Sequence, residues 1–503
     1  MGSIDVSDYS WTEVRPGRWE RDIDEAEQFY TSLAKKYAAS GRCCSAVTGS
    51  VVLSTQATEQ EVEDALRKGW LRLRYESPTV ASRVEYNEQW KKCRKIYEMC
   101  LSSESQAAWI EDTFRVIRTK LSGLQWCNSD PPVPALPTVF VIKRLNRRSE
   151  AFTADLILRA RPDIVDDQGV LMLLNTLVEY AAQALHQGDA YPLPAFGDEW
   201  TRLSPPFRVA AGVPSTLKKQ QIMRLEKAAS SNAKIRKDVE IAGFSTRSRA
   251  TQPGRHQRVA ITLSVESTHR LLKACKALGL SASHAYHTAI GTVLRDLQKR
   301  HSRSRTIRYI DYSLLDERSQ CAEPYNSPTH AASVYHSVCG ECLAIDLAVP
   351  PQSIGAPNQL RDYSIPRRQE FMKIASAVRR FDLNNRNDKH RVQMVPSYWG
   401  MITPSYPEDN ATPQMPKPYS NPSVSLSDLG VLDDTVSPIH GAFTLDNPWV
   451  TREHLVTGLA LFLGVWDGRL TLSATYNDAW HTRSEALAFL DRCNVVTIQA
   501  LGA

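Results

Sequence analysis

Between Phe152 and Leu185 the hydrophobic period of the chain changes once, and sharply. Phe152-Thr-Ala-Asp-Leu-Ile-Leu158 is an apolar run that reads as a strand. From about Gln168 the period lengthens, and Leu171, Leu174, Leu177 and Ala181 share one face of a helix reaching Leu185. A strand that runs through a short polar link into a long helix commits this region to a mixed α/β layer.

The same alternation continues on both sides. A helix is expected over Asp22–Lys36, with Ile23, Ala26, Phe29, Tyr30 and Leu33 on its apolar face. A strand is expected over Ala46–Leu53, followed by a helix opened by Thr58-Glu-Gln-Glu, a cap with acidic residues in the next turn. Thr138–Ile142 and Phe152–Leu158 flank the polar Asn146-Arg-Arg-Ser and read as a hairpin. The second half restarts the pattern with a strand at Val259–Leu263 and helices after Ser264 and over Ala282–Gln298. Strands follow at Ile307–Leu314 and Ser333–Leu347, and a helix at Ile365–Phe381. Val395–Pro422, dense in Pro, Ser and Tyr, reads as a long loop. The last strands are Val424–Ser427, Ala442–Leu445, Val456–Leu463 and Leu470–Tyr476, with Asp467-Gly468 as the turn of a terminal hairpin and a closing helix over Ser484–Ala500.

Length and charge divide this series. At 503 residues, two to four domains are expected. Residues 218–258 hold eleven Lys/Arg against three Asp/Glu, while the whole chain has a net charge of only +6. The expected organisation is an N-terminal lobe over 1–215, a basic linker over 216–258 and a C-terminal lobe over 259–503, with a crossover near 423–430. The basic segment lacks interleaved aromatics, so no nucleic-acid partner is expected; a solvated linker or a site for an anionic cofactor is. No apolar run approaches the ~18 residues of a membrane span, and Met1–Ser10 has no signal core, so a cytoplasmic protein with no membrane partner is expected. Cys339-Gly-Glu-Cys342 has redox spacing but sits in strand-like surroundings, which points to buried thiols. The scattered histidines, His284 and His287 included, announce no metal site.

Three segments carry a resemblance. They are Leu156-Ile-Leu-Arg-Ala-Arg-Pro-Asp-Ile-Val-Asp-Asp-Gln-Gly169, Val424-Ser-Leu-Ser-Asp-Leu-Gly430, and Trp466-Asp-Gly-Arg-Leu-Thr-Leu-Ser-Ala-Thr-Tyr-Asn477 before the final helix. In this order they resemble the acyltransferase superfamily of two chloramphenicol-acetyltransferase-like lobes, which includes condensation domains of peptide synthetases. The opening Trp11-Thr-Glu-Val-Arg-Pro-Gly-Arg-Trp is similar to fungal trichothecene 15-O-acetyltransferase-like proteins. The resemblance implies two mixed sheets packed by helices around a central tunnel. It also implies a His-x-x-x-Asp motif whose His deprotonates an acceptor and whose Asp pairs with an Arg to hold the loop.

Here the motif is degenerate. With Asp166 in the Asp position, Pro162 stands where the His is expected; shifted by one, Asp167 and Asp163 take the two positions. No His lies between Ala151 and Leu185. Asp166 and Gly169 match the structural part of the motif, and Arg161 flanks it. Asp163 is an alternative base, although a surface or capping role is the simpler reading. On the expected strand Ser333–Cys339 one of Tyr335 and His336 points inward, which makes His336 the best replacement base. Pro162, Arg161, Tyr398, Trp399, Ser427 and Tyr476 are the expected substrate contacts.

The missing His turns the first expectation toward a secondary-metabolite enzyme that cyclises a polyketide, terpenoid or alkaloid precursor, pericyclase-like, by proximity in the tunnel and without a cofactor. The alternatives are an O-acyltransferase using acetyl-CoA with His336 or Asp163 as base, and a non-catalytic binding protein. A small-molecule substrate and a monomer are expected.

Overall fold

The computed structural model describes residues 9–38, 46–89, 91–145, 151–246, 250, 252–352, 365–388, 390–407, 423–453 and 457–503. The Asn146-Arg-Arg-Ser turn and most of the expected loop up to Pro422 lie outside these residues.

The first lobe is built on a six-stranded sheet ordered Ile439–His440, Phe443–Arg452, Val47–Thr55, Phe152–Ala160, Thr138–Arg144 and Phe114–Thr119. Helix Asp167–Gln187 packs on one face of its inner strands, and helix Glu59–Glu76 packs on that helix. Thr58 caps the first of these helices through a reciprocal pair with Glu61. The second lobe carries a four-stranded sheet, His256–Thr262, Arg469–Asn477, Leu459–Trp466 and Val424–Val431, and a three-stranded sheet, Leu343–Val349, Arg305–Asp311 and Glu240–Ile241. Helices Ala282–Leu297, Ile365–Arg386 and Arg483–Leu501 pack on its core. The architecture is therefore the expected mixed α/β arrangement. At the Asp467-Gly468 turn both residues have positive φ, 46° and 66°, between the antiparallel pair Trp466 and Arg469. This is the turn chemistry that the right-handed twist of two strands demands.

Three readings change. Val424–Val431 stays in the second lobe, parallel to Leu459–Trp466; the strand that joins the first lobe's sheet is Phe443–Arg452, paired with Val47–Thr55. The basic segment contains a helix, Lys219–Ile235, rich in strong helix formers. Tyr398 and Trp399 stand on helix Arg391–Ile402, not in a loop, despite Pro396 inside it. Met394, Val395 and Trp399 are buried, and that packing outweighs the backbone bond the proline forfeits. Among the described residues no helix is long and apolar enough to cross a membrane.

Candidate active site

The strand Phe152–Ala160 ends in the turn holding Pro162, Asp163 and Ile164, all buried, and helix Asp167–Gln187 starts immediately after. Asp166 is the N-cap of that helix: its Oδ1 accepts the Gly169 N–H at 2.7 Å. The same carboxylate receives Arg318 Nη2 at 2.8 Å and the Tyr335 N–H at 2.9 Å. Burial works against this charge, but Arg318 and His336 outweigh it and hold the carboxyl well below the usual range. Gly169 is glycine because of a close approach: a Cβ there would lie 2.2 Å from the Ala331 carbonyl oxygen. Gly169→Ala is expected to cost about 1–3 kcal/mol by forcing that contact apart. Denaturant unfolding checks it, and an unchanged midpoint would contradict it.

His336 is buried on the short strand His336–Val338, and its Nδ1 lies 3.5 Å from Asp166 Oδ2. Its Nε2 is 2.7 Å from the hydroxyl of Tyr30, on helix Glu25–Ala38. That hydroxyl also accepts Arg452 Nη1 at 2.6 Å, and Arg452 forks onto Asp167 at 2.9 and 3.2 Å. Burial leads in pushing the Tyr30 phenol up to about 12, so it stays protonated at neutral pH. Trp399 donates its indole N–H to the His336 carbonyl at 3.3 Å, and its ring stands edge-on to the imidazole, with centroids 5.5 Å apart. The result is a chain from buried Asp166, His336 and Tyr30 to the partly buried Arg452 and Asp167.

The residues singled out by sequence divide accordingly. Asp163 is not at the surface: it is buried, accepts Arg161 Nη2 at 2.8 Å and accepts Thr31 Oγ1 at 3.1 Å. Its charge is already matched by Arg161. Tyr335 stands just before the strand His336–Val338 and donates its hydroxyl to the Pro205 carbonyl at 2.8 Å. Tyr398 lies against the backbone of Gly340. Tyr476 belongs to the apolar core of the second lobe, and Ser427 pairs with Phe462 within that lobe's four-stranded sheet. Tyr30, Arg452 and Arg318 carry no local signal of their role.

A cavity of about 480 Å³ is lined by Asp24, Gln28, Cys93, Gly400 and Tyr406, among others. At the seam between the lobes, ligand atoms of Asp130, His256 and Glu453 lie within 4.8 Å of one another, a grouping no spacing announces. Arg159 already pairs with Glu453, and Arg258 lines the same small void, so a metal cation would meet two guanidinium groups there. Cys339 and Cys342 are buried thiols, raised by burial to about 12 and about 11.

The fold is similar to that of trichothecene 15-O-acetyltransferase TRI3 of Fusarium sporotrichioides, with TM-score 0.80, 16% identity and complete coverage of both chains. The chain has the fold of that acetyltransferase. The first condensation domain of the CDA synthetase shares it, with TM-score 0.59, 14% identity and 96% of each chain covered. By sequence, the chain is 23% identical over 503 residues to acetyltransferase pigO of Monascus ruber, covering 98% of both. No family model matches the chain.

Proposed function

We propose that the protein is a secondary-metabolite O-acyltransferase, taking an acetyl group from acetyl-CoA to a hydroxyl of a polyketide- or terpenoid-type acceptor. The observation that carries this reading is the Asp166–His336 pair, an imidazole with a carboxylate on one ring nitrogen and a hydroxyl on the other. An alcohol attacks a thioester only as its proton leaves, and an imidazole is suited to take that proton. Asp166 orients the ring and favours the imidazolium that forms. Pro162 then has no part in proton transfer, and the base stands on the neighbouring strand instead of in the motif. The kinship to pigO and the TRI3-like fold support acyl transfer over the cyclisation that the missing His first suggests. In this reading the roughly 480 Å³ cavity lined by Asp24, Gln28 and Gly400 admits substrate. Acetyl-CoA is the one cofactor required.

His336→Gln keeps the side chain polar but removes the base. It is expected to lower acetyl transfer by about 10²-fold. Thiol release from acetyl-CoA, followed with a panel of secondary alcohols, reads the effect. Equal release by both proteins would overturn His336 as the base.

A further inference from the structure

The hydrogen bonds around Tyr30 determine where its proton lies. Arg452 can only donate, so its 2.6 Å contact occupies one lone pair of the phenol oxygen. The phenol keeps its own proton, and its remaining close partner is His336 Nε2 at 2.7 Å. Tyr30 therefore donates to Nε2, the other ring nitrogen carries the hydrogen, and that hydrogen faces Asp166. Asp167 holds Arg452, and so the phenol, in this arrangement.

This polarity has a consequence for catalysis. The basic lone pair of His336 is covered by the phenol, and both residues are buried, His336 at 6% and Tyr30 at 3% exposure. With Nε2 capped by the phenol, a proton bound for the imidazole nitrogen has to pass through the oxygen of Tyr30. That oxygen has a second lone pair to accept a hydrogen bond. The next residue on the helix, Thr31, donates to Asp163, so the helix lays Tyr30 alongside the turn that contains Pro162.

We propose that Tyr30 is the proton conduit between the acceptor hydroxyl and His336; this rests on the acyl-transfer reading above. As the acceptor oxygen bonds to the thioester carbonyl carbon, its proton passes to the Tyr30 oxygen and the Tyr30 proton passes to Nε2. Tyr30 stays neutral and His336 becomes imidazolium facing Asp166. When the carbon–sulfur bond breaks, the protons run back: Nε2 returns one to Tyr30, and Tyr30 gives one to the departing thiolate. Alcohol and thioester become ester and thiol, and the enzyme is unchanged.

The test uses acetyl-CoA alone, with water as the acyl acceptor, in mixtures of light and heavy water. Tyr30→Phe keeps the ring and removes only the hydroxyl. Its kcat for thiol release is expected to fall by about 10²-fold, in the range of one acid–base group, with KM for acetyl-CoA unchanged. The wild-type rate should curve with deuterium fraction, as two protons move together; the variant rate should be linear. A Tyr30→Phe protein with the wild-type rate and the same curvature, beside an inactive His336→Gln protein, would overturn the conduit alone. A wild-type protein releasing no more thiol than His336→Gln would overturn the base and the conduit together. Nitrogen-15 spectra of the wild type, assigned with His336→Gln, provide a check independent of the variant's folding. The hydrogen is expected on Nδ1; finding it on Nε2 would overturn the proposal.

Discussion

Asp166→Ala is expected to destabilise the protein by about 3–5 kcal/mol, the range for removing one partner of a buried ion pair. One carboxylate caps helix Asp167–Gln187, pairs with Arg318, accepts the Tyr335 N–H and faces His336. Apart from the helix cap, these groups lie about 150–170 residues downstream, so much of the loss falls on the contact between distant parts of the chain. Arg318 keeps Asp316, which is half exposed and compensates only in part. Asp166→Asn retains a capping oxygen and should fall between the two. The pH dependence has a definite sign. A carboxyl held below its ordinary value adds stability above that value, about pH 4, and the contribution disappears as pH falls below it. The acid limb of the stability profile should therefore flatten in Asp166→Ala. A loss under about 1 kcal/mol in denaturant unfolding would contradict the assigned partners.

Glu27→Gln is expected to cost a similar amount, about 3–5 kcal/mol. Arg21 and Lys95 are direct cross-strand partners, two like charges placed face to face. Glu27, on helix Glu25–Ala38, neutralises them: Arg21 bonds it at 2.8 and 2.7 Å, and Lys95 bonds the same carboxylate. All three side chains are buried. Burial pushes the Glu27 carboxyl up, but Arg21 and Lys95 bring it down to about 2. Its contribution is thus complete above the ordinary glutamate range and lost between that range and about pH 2. Glu27→Gln leaves two buried cations opposed, while Glu27→Gln with Lys95→Met leaves one. The double variant should recover part of the loss, as neighbours that share a partner do not behave additively. The helix that Glu27 anchors also carries Phe29, Tyr30 and Thr31, so acyl transfer should fall with stability. Additive losses in the double variant would contradict the triad.

Much of the fold was legible in local pattern. The strand-to-helix change at Phe152–Leu185, the Thr58 cap and the Asp467-Gly468 turn each rest on a few adjacent residues, and the structure reproduces them. The expected strand Ser333–Cys339 is shorter, His336–Val338, and Tyr335 stands just before it, with its hydroxyl on Pro205 while His336 meets Tyr30. The partners of His336 left no such trace. Tyr30 lies 306 residues from it and Arg452 lies 422 from Tyr30, and no periodicity links positions that far apart. Helix Arg391–Ile402 was hidden by Pro396, because its stability comes from burying Trp399 against elements distant in sequence. Tyr476 looked like a site aromatic because it follows the resembling motif, yet its neighbours are core residues.

The most direct measurement is the fate of a carbonyl-labelled acetyl-CoA incubated with the purified protein and alcohols of polyketide and terpenoid type. The account predicts carbon-13 in a new ester carbonyl, formed with one free thiol per ester and at least about tenfold less in His336→Gln, a conservative bound for an acid–base group. Conversion of an acceptor to an unlabelled isomer, with acetyl-CoA intact, would contradict it.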